Sequence, residues 1–491
     1  MQKFKRVALK LLIALAILYL ILLIPSPGNN PVATAANQPA FTWNQDSLWS
    51  QLENKFIAAR SMPKEALDAA ILQLKKEAYE QYGLISGRLL APNDQPLKTI
   101  QGQVFQLAPL VAAAPSNITW YTSYYDSIRN YIKFTSFTWD TNELQVRNKI
   151  YEMLYGMRAA IEEVILQADS NFLPAARMVN NEYSVTPAAS IVGIPVHSGD
   201  ILVSRGGAEV SALISRGNDY PGNFSHIAFL YVDEKTKKPW LIESHIEKGV
   251  AIADVEQYIK DKKLRFMVMR PKAALYAMGN DPMLPHKAAK AMYEESLSRH
   301  IPYDFKMDFR DSVKMFCSEV ASYSYRKKGV QLWQQLSTIS SPGVVKWLGD
   351  FGVENFITQM PSDLEYDPQL SVVAEWRDPE TLYKDHIDNA VMDAMLEQAN
   401  KGQSIGYDHW QLPFVRIVKA YCVVKNWFGA TGIIPEGMSA TAALKNQRFV
   451  AMNKAINTKV QQMAADFTAK NHYRPPYWQL VRFAQAAAND Q

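Results

Sequence analysis

The stretch Phe316-Cys317-Ser318-Glu319-Val320, together with the earlier Ser225-His226-Ile227, decides the fold of this 491-residue chain. A thiol becomes a nucleophile only when a neighbouring group accepts or stabilises its proton, and histidine is the commonest such group. We therefore predict that Cys317 is a nucleophile and that His226 is its general base. The base precedes the nucleophile along the chain, which is possible because such sites are defined by geometry and not by chain order.

A third polar position lies in Trp240-Leu241-Ile242-Glu243-Ser244-His245-Ile246, an otherwise apolar stretch typical of a strand. Strand alternation places Glu243 and His245 on the same face. Either side chain could accept a hydrogen bond from the His226 imidazole and so fix its tautomer. The alternative without function is a solvated edge strand that carries these polar residues by chance.

The two cysteines have different sequence surroundings. A helix is predicted to carry Cys317 through Tyr325, which puts Cys317 in its first turn, where the helix dipole lowers the pKa of a thiol. The alternative is a small buried cysteine that only packs. Cys422 lies in the apolar helical stretch 415–428, where a buried free thiol is the usual outcome. A disulfide between the two cysteines is the less favoured alternative.

The first 36 residues have the features of an export segment. Four basic residues precede an uncharged apolar run at 11–24: Lys3, Lys5, Arg6 and Lys10. This pattern predicts either a cleaved signal peptide or a membrane anchor formed by residues 7–24. In both cases the rest of the chain is expected outside the cytoplasm, in the periplasm or anchored to the inner membrane and facing outward if the protein is bacterial.

Composition and motifs exclude several classes of function. Removing the basic leader brings the formal charge from +4 to zero, so no nucleic-acid partner is expected. The sequence holds no Gly-x-Ser-x-Gly, no His-Glu-x-x-His, no phosphate-binding Gly-rich loop and no Cys-x-x-Cys. His286 and His300 lack companions at ligand spacing. We expect no metal and no cofactor.

The chain divides into a leader and three regions. We predict a helical region at 37–188, an α+β domain with an antiparallel sheet at 189–378, and a helical C-terminal region at 379–491. Apolar runs bounded by Gly, Pro and Asp predict strands at 200–203, 226–232, 240–246, 266–269 and 371–376. Apolar residues at helical spacing predict helices at 146–164, 288–300, 317–325 and 449–467.

Five short motifs carry a resemblance to a known family. They are Gly199-Asp200-Ile201-Leu202, Phe224-Ser225-His226-Ile227-Ala228-Phe229, Leu241-Ile242-Glu243, Pro302-Tyr303-Asp304 and Phe316-Cys317-Ser318-Glu319. In order and interval they resemble the YiiX/YebB-type cysteine hydrolases, permuted members of the NlpC-like, papain-fold amidases. The resemblance covers residues 189–378.

The resemblance implies roles for individual residues. Cys317 would be the nucleophile, His226 the base and Glu243 the group that orients His226. Tyr303 would lie near the site, with a role towards substrate or oxyanion. His245 leaves the third member ambiguous, because related enzymes use either a carboxylate or a second imidazole there.

We therefore expect an exported cysteine amidase or peptidase that acts through a thioacyl intermediate on peptide or amide bonds of the cell envelope. One alternative is a lipid or N-acyl substrate, with hydrolysis or acyl transfer. A second alternative is a catalytically retired domain, with the helical flanks making this an interaction protein.

Overall fold

The computed structural model describes most of the chain. The described residues are 2–26, 47–168, 172–261, 263–333, 336–428, 430 and 432–490. Residues 27–36 of the predicted leader and 37–46 of the predicted helical region therefore lie outside the described residues.

The N-terminal part of the chain is helical, as predicted. Its helices are α1 (Gln2–Leu22), α2 (Ser47–Arg60), α3 (Lys64–Ile85), α4 (Gln95–Ala113), α5 (Ile118–Thr135), α6 (Leu144–Tyr151) and α7 (Met157–Gln167). The single helix predicted at 146–164 is in fact interrupted, because one turn of π-helix at Glu152–Gly156 joins α6 to α7. The helices enclose an apolar core in which Tyr121, Tyr125 and Tyr151 are fully buried, so these three aromatic side chains serve packing.

The central part of the chain forms an antiparallel sheet. The strands are β1 (Ala176–Met178), β2 (Ala188–Ile191), β3 (Ile194–His197), β4 (Ile201–Gly206), β5 (His226–Val232), β6 (Pro239–His245), β7 (Gly249–Ala253), β8 (Lys263–Pro271), β9 (Ser337–Thr338), β10 (Ile357–Thr358) and β11 (Leu370–Arg377). The main sheet has the order β1-β11-β8-β4-β5-β6-β7, while β2 pairs with β3 and β9 with β10. All five predicted strands are present.

Helices cover the sheet and connect its strands. They are α8 (Glu209–Arg216), α9 (Val255–Lys260), α10 (Tyr276–Asn280), α11 (Leu284–Ser298), α12 (Glu319–Arg326), α13 (Pro342–Phe351) and α14 (Asp363–Tyr366). Side chains alternate along β5: Ile227 and Phe229 pack with α11 and α12, whereas Ala228 and Leu230 pack on the opposite face. The strand is apolar on both faces because both are covered.

The C-terminal part is again helical, as predicted. Its helices are α15 (Pro379–Asn400), α16 (Leu412–Trp427), α17 (Ala440–Asn471) and α18 (Tyr477–Asn489). The helix predicted at 449–467 lies within α17. An α+β core flanked by helical regions is therefore confirmed, whereas the boundaries at 188/189 and 378/379 stay predictions.

A buried set of charges ties the three parts of the chain together. We call it the charge network, and it comprises Arg158 and Glu162 of α7, Arg265 of β8, Glu365 of α14 and Asp385 of α15. Arg158 donates to Glu365 at 2.5 Å and to Glu162 at 2.8 Å, and Arg265 donates to Glu162 at 2.5 Å. These side chains are almost completely buried, so every charge depends on its partners.

Helix α1 exposes apolar side chains around its circumference, from Val7 to Ile21. Its C-terminal end contacts α16, where the Tyr19 hydroxyl donates to the Trp410 carbonyl at 3.2 Å. Within the described part of the chain, no helix is both long and apolar enough to cross a membrane. The signal peptide or anchor at 1–36 stays a prediction.

Candidate active site

The pairing of β5 with β6 brings a histidine and a carboxylate together. These strands run antiparallel with Ala228 opposite Glu243, so His226, at the start of β5, is a diagonal neighbour of Glu243. His226 Nε2 lies 2.8 Å from Glu243 Oε2, within hydrogen-bonding distance. With Nε2 engaged by the carboxylate, Nδ1 is the nitrogen that can face a nucleophile.

Two more side chains converge on the same carboxylate. His245 Nε2 lies 3.6 Å from Glu243 Oε1, and Lys263 Nζ lies 3.5 Å from Glu243 Oε2. Burial by itself would raise the pKa of Glu243, but the hydrogen bond from His226, together with the nearby His245 imidazole and Lys263 ammonium, holds that pKa well below its usual range. Glu243 is therefore an anion shared between two imidazoles.

The thiol of Cys317 lies against the backbone on both sides of His226. Its Sγ is 3.8 Å from the Ser225 carbonyl oxygen, and the Ile227 N–H is among the backbone donors directed at the sulfur. The Ser244 hydroxyl donates to the Met315 carbonyl at 2.6 Å, which fixes the segment before Cys317 onto β6. The structure thus brings Cys317, His226 and Glu243 to one end of the sheet.

The resting thiol is neutral, contrary to the expectation from the sequence. Helix α12 begins at Glu319, so Cys317 lies in a turn before it and not in its first helical turn. Burial raises the pKa of Cys317 to about 11, and backbone N–H groups of Ser318, Ile227 and Cys317 itself offset only part of this. The predicted lowering of the thiol pKa is therefore wrong for this conformation.

The imidazole is neutral as well. Burial lowers the pKa of His226, and the charge of Lys263 lowers it further, against the opposing influence of Glu243. A neutral imidazole is the form that can accept a proton. The two side chains are therefore a thiol and a neutral imidazole in the resting protein.

Tyr303 lies close to the thiol. The segment that carries it is fixed to β7, where the Val250 N–H donates to the Ile301 carbonyl at 2.9 Å. Gly249 permits this approach, since a Cβ there would lie 2.1 Å from the Ile301 oxygen. Burial raises the pKa of Tyr303 well above its usual range, and the neighbouring Cys317 adds to this, so the phenol is a hydrogen-bond donor beside the sulfur.

Two further side chains belong to the site: Lys263, which has no clear signal in the sequence, and Glu319, which lies in the quoted Cys317 motif but was given no role there. Lys263 opens β8 within an ordinary strand pattern, and only the sheet order places it beside Glu243. Glu319 accepts from the Phe316 N–H at 3.0 Å, and burial raises its pKa to about 9. A protonated Glu319 next to Cys317 adds no negative charge where a thiolate has to form.

The spacing of two histidines and a carboxylate also has to be considered as a metal site. The candidate ligand atoms of His226, Glu243 and His245 all lie within 4.8 Å of one another. The Lys263 ammonium is a neighbour of the same carboxylate and opposes a bound cation. The expectation that the protein uses no metal stays a prediction.

A comparison with known protein families gives a match for the central segment. Residues 195–374 match the family model described as permuted papain-like amidase enzyme, YaeF/YiiX, C92 family. No curated protein and no solved structure gives a significant match. The match supports a hydrolase of the amidase kind and leaves the catalytic residues and the substrate to be tested. Residues 195–374 thus carry the permuted papain-like amidase fold of the YaeF/YiiX family, which confirms the resemblance found in the sequence.

Proposed function

We propose that this protein is an exported cysteine amidase or peptidase that acts on peptide or amide bonds of the cell envelope. Cys317 is the nucleophile, His226 the general base and Glu243 the residue that orients the imidazole. The observation that carries the proposal is the hydrogen bond of 2.8 Å between His226 and Glu243, with the Cys317 sulfur against the backbone of Ser225 and Ile227. Export rests on the leader sequence alone.

The reaction starts from the neutral pair. His226 Nδ1 takes the proton of Cys317 as the sulfur attacks the carbonyl carbon, and the resulting oxyanion is stabilised by backbone N–H groups of the turn that carries Cys317. Collapse of the tetrahedral species breaks the C–N bond, and imidazolium returns the proton to the leaving amine. Water, deprotonated by His226, then hydrolyses the thioester and regenerates the thiol.

Glu243 and His245 have different roles in this scheme. Glu243 is closer to the base, holds its tautomer and stabilises the imidazolium that forms after proton transfer. His245 is on the far oxygen of the same carboxylate and keeps that carboxylate ionised. We therefore assign Glu243 as the third member and His245 as a residue that positions it.

The experiment is to trap the acyl-enzyme. The purified protein is incubated with p-nitrophenyl acetate, an activated ester, and intact-mass and peptide mass spectrometry locate the acetyl group. We expect acetyl on Cys317, none in Cys317→Ala, and strongly reduced acylation in His226→Ala. Cys422→Ala is the matched control, because it removes the other buried thiol and should leave acylation unchanged.

Two results would contradict the proposal. Acetyl found on lysines at equal rates in all variants would mean that Cys317 is not a nucleophile. Loss of acylation on adding EDTA, with recovery on adding zinc, would mean that His226, Glu243 and His245 bind a metal instead. A panel of envelope-type peptides then tests the substrate class by the same thioacyl readout.

A second candidate function is hydrolysis or acyl transfer at a lipid or N-acyl substrate. It is favoured by Phe305, which packs edge-on to Tyr303 at 5.0 Å between ring centroids and also contacts the segment after α16. A buried apolar cluster of the C-terminal region is thus next to the candidate active site. Release of fatty acid from N-acyl amines, with no cleavage of peptides, would favour this candidate.

A further inference from the structure

Helix α16, with the turn before it and the residue after it, presents a row of uncovered apolar side chains. They are spaced alternately by four and three positions and are between 43% and 83% exposed: Trp410, Phe414, Ile417, Tyr421, Val424 and Phe428. We call this row the α16 apolar stripe. The opposite side of the helix packs normally, with Leu412 and Cys422 fully buried against the start of α17 and the segment before it. A helix fixed on one side with a regular apolar row on the other has a face suited to a partner.

The charged residues of helix α16 itself are all basic. From His409 to Pro435 the sequence contains Arg416, Lys419 and Lys425 and no acidic residue. Lys425 lies over the ring of Tyr421, 6.0 Å from its centroid, at the edge of the stripe. Asp408 and Glu436 bound this basic segment on either side. An aromatic-rich apolar face on a helix whose own charged residues are all basic is typical of helices that lie in the plane of an anionic lipid surface.

The neighbouring helix distinguishes a lipid surface from a protein partner. The end of α1 is held at the start of α16, where Arg416 donates to the Ile24 carbonyl and Tyr19 donates to the Trp410 carbonyl. A protein partner requires one apolar face, whereas α1 exposes apolar side chains around its circumference. A lipid bilayer accommodates both patterns, since its interior suits a helix that is apolar all round and its headgroup boundary suits a helix that is apolar on one face.

We infer that the α16 apolar stripe is a membrane-docking surface, which lies in the plane of a bilayer containing anionic lipids. Trp410, Tyr421 and Phe428 enter the boundary between headgroups and acyl chains, and Lys425 extends its ammonium to the phosphates. This inference does not depend on the proposed catalysis, and it adds a second membrane contact to the one predicted for residues 7–24.

The test measures the environment of the stripe in the full chain. A nitroxide spin label is attached at Ile417→Cys in a Cys317→Ala, Cys422→Ala background, and the protein is reconstituted in phosphatidylcholine vesicles with phosphatidylglycerol. The matched control is Leu72→Cys on α3, since Leu72 is 68% exposed and Ile417 is 63% exposed. We expect the ratio of collisions with oxygen to collisions with a water-soluble nickel chelate to be several-fold higher at position 417 than at position 72.

This design separates docking from tethering. If α1 alone holds the protein on the vesicle, position 417 stays as accessible to the nickel chelate as position 72, and the inference is wrong. Dipolar broadening at position 417 that increases with protein concentration would show a second copy of the chain on the stripe, which also overturns it. In vesicles of phosphatidylcholine alone we expect a smaller contrast, and an equal contrast would contradict the role given to the cations.

Discussion

Two buried polar clusters in this protein differ in what their charges can do. The charge network pairs arginines such as Arg158 and Arg265 with carboxylates. The candidate catalytic cluster, around Glu243, contains His226 and Cys317 and has one permanent cation nearby, Lys263. Arginine keeps its proton at any pH that a protein tolerates, whereas imidazole and thiol exchange theirs near neutrality. Burial therefore fixes charge in the first cluster and makes it adjustable in the second.

The comparison shows that burial alone does not identify a functional site. Both clusters are almost completely buried and both shift pKa values strongly. Arg265 and Arg158 hold the pKa of Glu162 far below its usual range although burial opposes this, so its protonation state never changes. In the catalytic cluster the pKa values of the thiol and the imidazole move apart, to about 11 for Cys317 and below the usual value for His226. A proton can then move between them only when substrate or solvent assists.

Replacing the thiol should give the largest effect on activity and almost none on stability. In Cys317→Ala we expect turnover to disappear, because no other group can form the thioester. The free energy of unfolding should change by no more than about 1 kcal/mol. Urea denaturation and turnover are measured on the same preparation. A large loss of stability would mean that the sulfur serves core packing.

Breaking the charge network should have the reverse effect. Arg158→Met leaves the buried Glu365 without its closest partner and removes one of the two arginines that donate to Glu162, so we expect a loss of about 3–5 kcal/mol in the free energy of unfolding. Lys260→Met, which removes an exposed pair with Glu256, is the matched control and should cost at most about 1 kcal/mol. Similar losses in both variants would mean that the network contributes no more than a surface pair.

The charge network also has one titratable neighbour, His386. Burial opposes its charge, but hydrogen bonds to Glu162 and Glu163 prevail and raise its pKa to about 9. Because the folded pKa is the higher one, the stabilisation is complete below about pH 6.5 and is lost as pH rises through 9. His386→Gln should therefore lower the free energy of unfolding by about 2–3 kcal/mol at pH 6, and by much less at pH 10. Equal losses at both pH values would show that the imidazole is neutral.

The smallest expected effect is a shift in the pH profile of activity when Lys263 is replaced. Its charge lowers the pKa of His226, so Lys263→Met should raise that pKa and move the acid limb of kcat/KM to higher pH, by less than about one unit. Lys260→Met on α9 is the control and should leave the limb in place. If the acid limb of kcat/KM stays in place or moves to lower pH, then Lys263 acts only on Glu243.

Much of the sheet could be predicted because its strands are local patterns. The strand at 226–232 has the bounds predicted from its apolar run, and alternation in β6 places Glu243 beside His226. The turn of π-helix at Glu152–Gly156 could not be predicted from the sequence, since the helical spacing of apolar residues continues through it. The start of α12 was misplaced because the residues from Phe316 onward suit both a helix and the turn that precedes one.

The parts that escaped prediction depend on long-range pairing. The Lys263 ammonium lies near Glu243 only because the sheet has formed. Arg158 pairs with Glu365, which is 207 residues away in the sequence. The pKa of Cys317 followed the depth of burial, which no local motif reports, and so the helix-dipole argument gave the wrong sign. The residue types of the candidate site were visible in the sequence, whereas their protonation states required the three-dimensional structure.

The charge network also dictates the order in which the chain can acquire its final structure. Arg158 and Glu162 in α7 are made early, but the side chains that neutralise them come as late as Glu365 and His386. Until those residues have been synthesised, burying α7 against the sheet would leave charged side chains without their full set of partners in an apolar core. We therefore expect the docking of α7 on the sheet to be a late step of folding, which has to follow synthesis of the chain as far as Glu365 and His386.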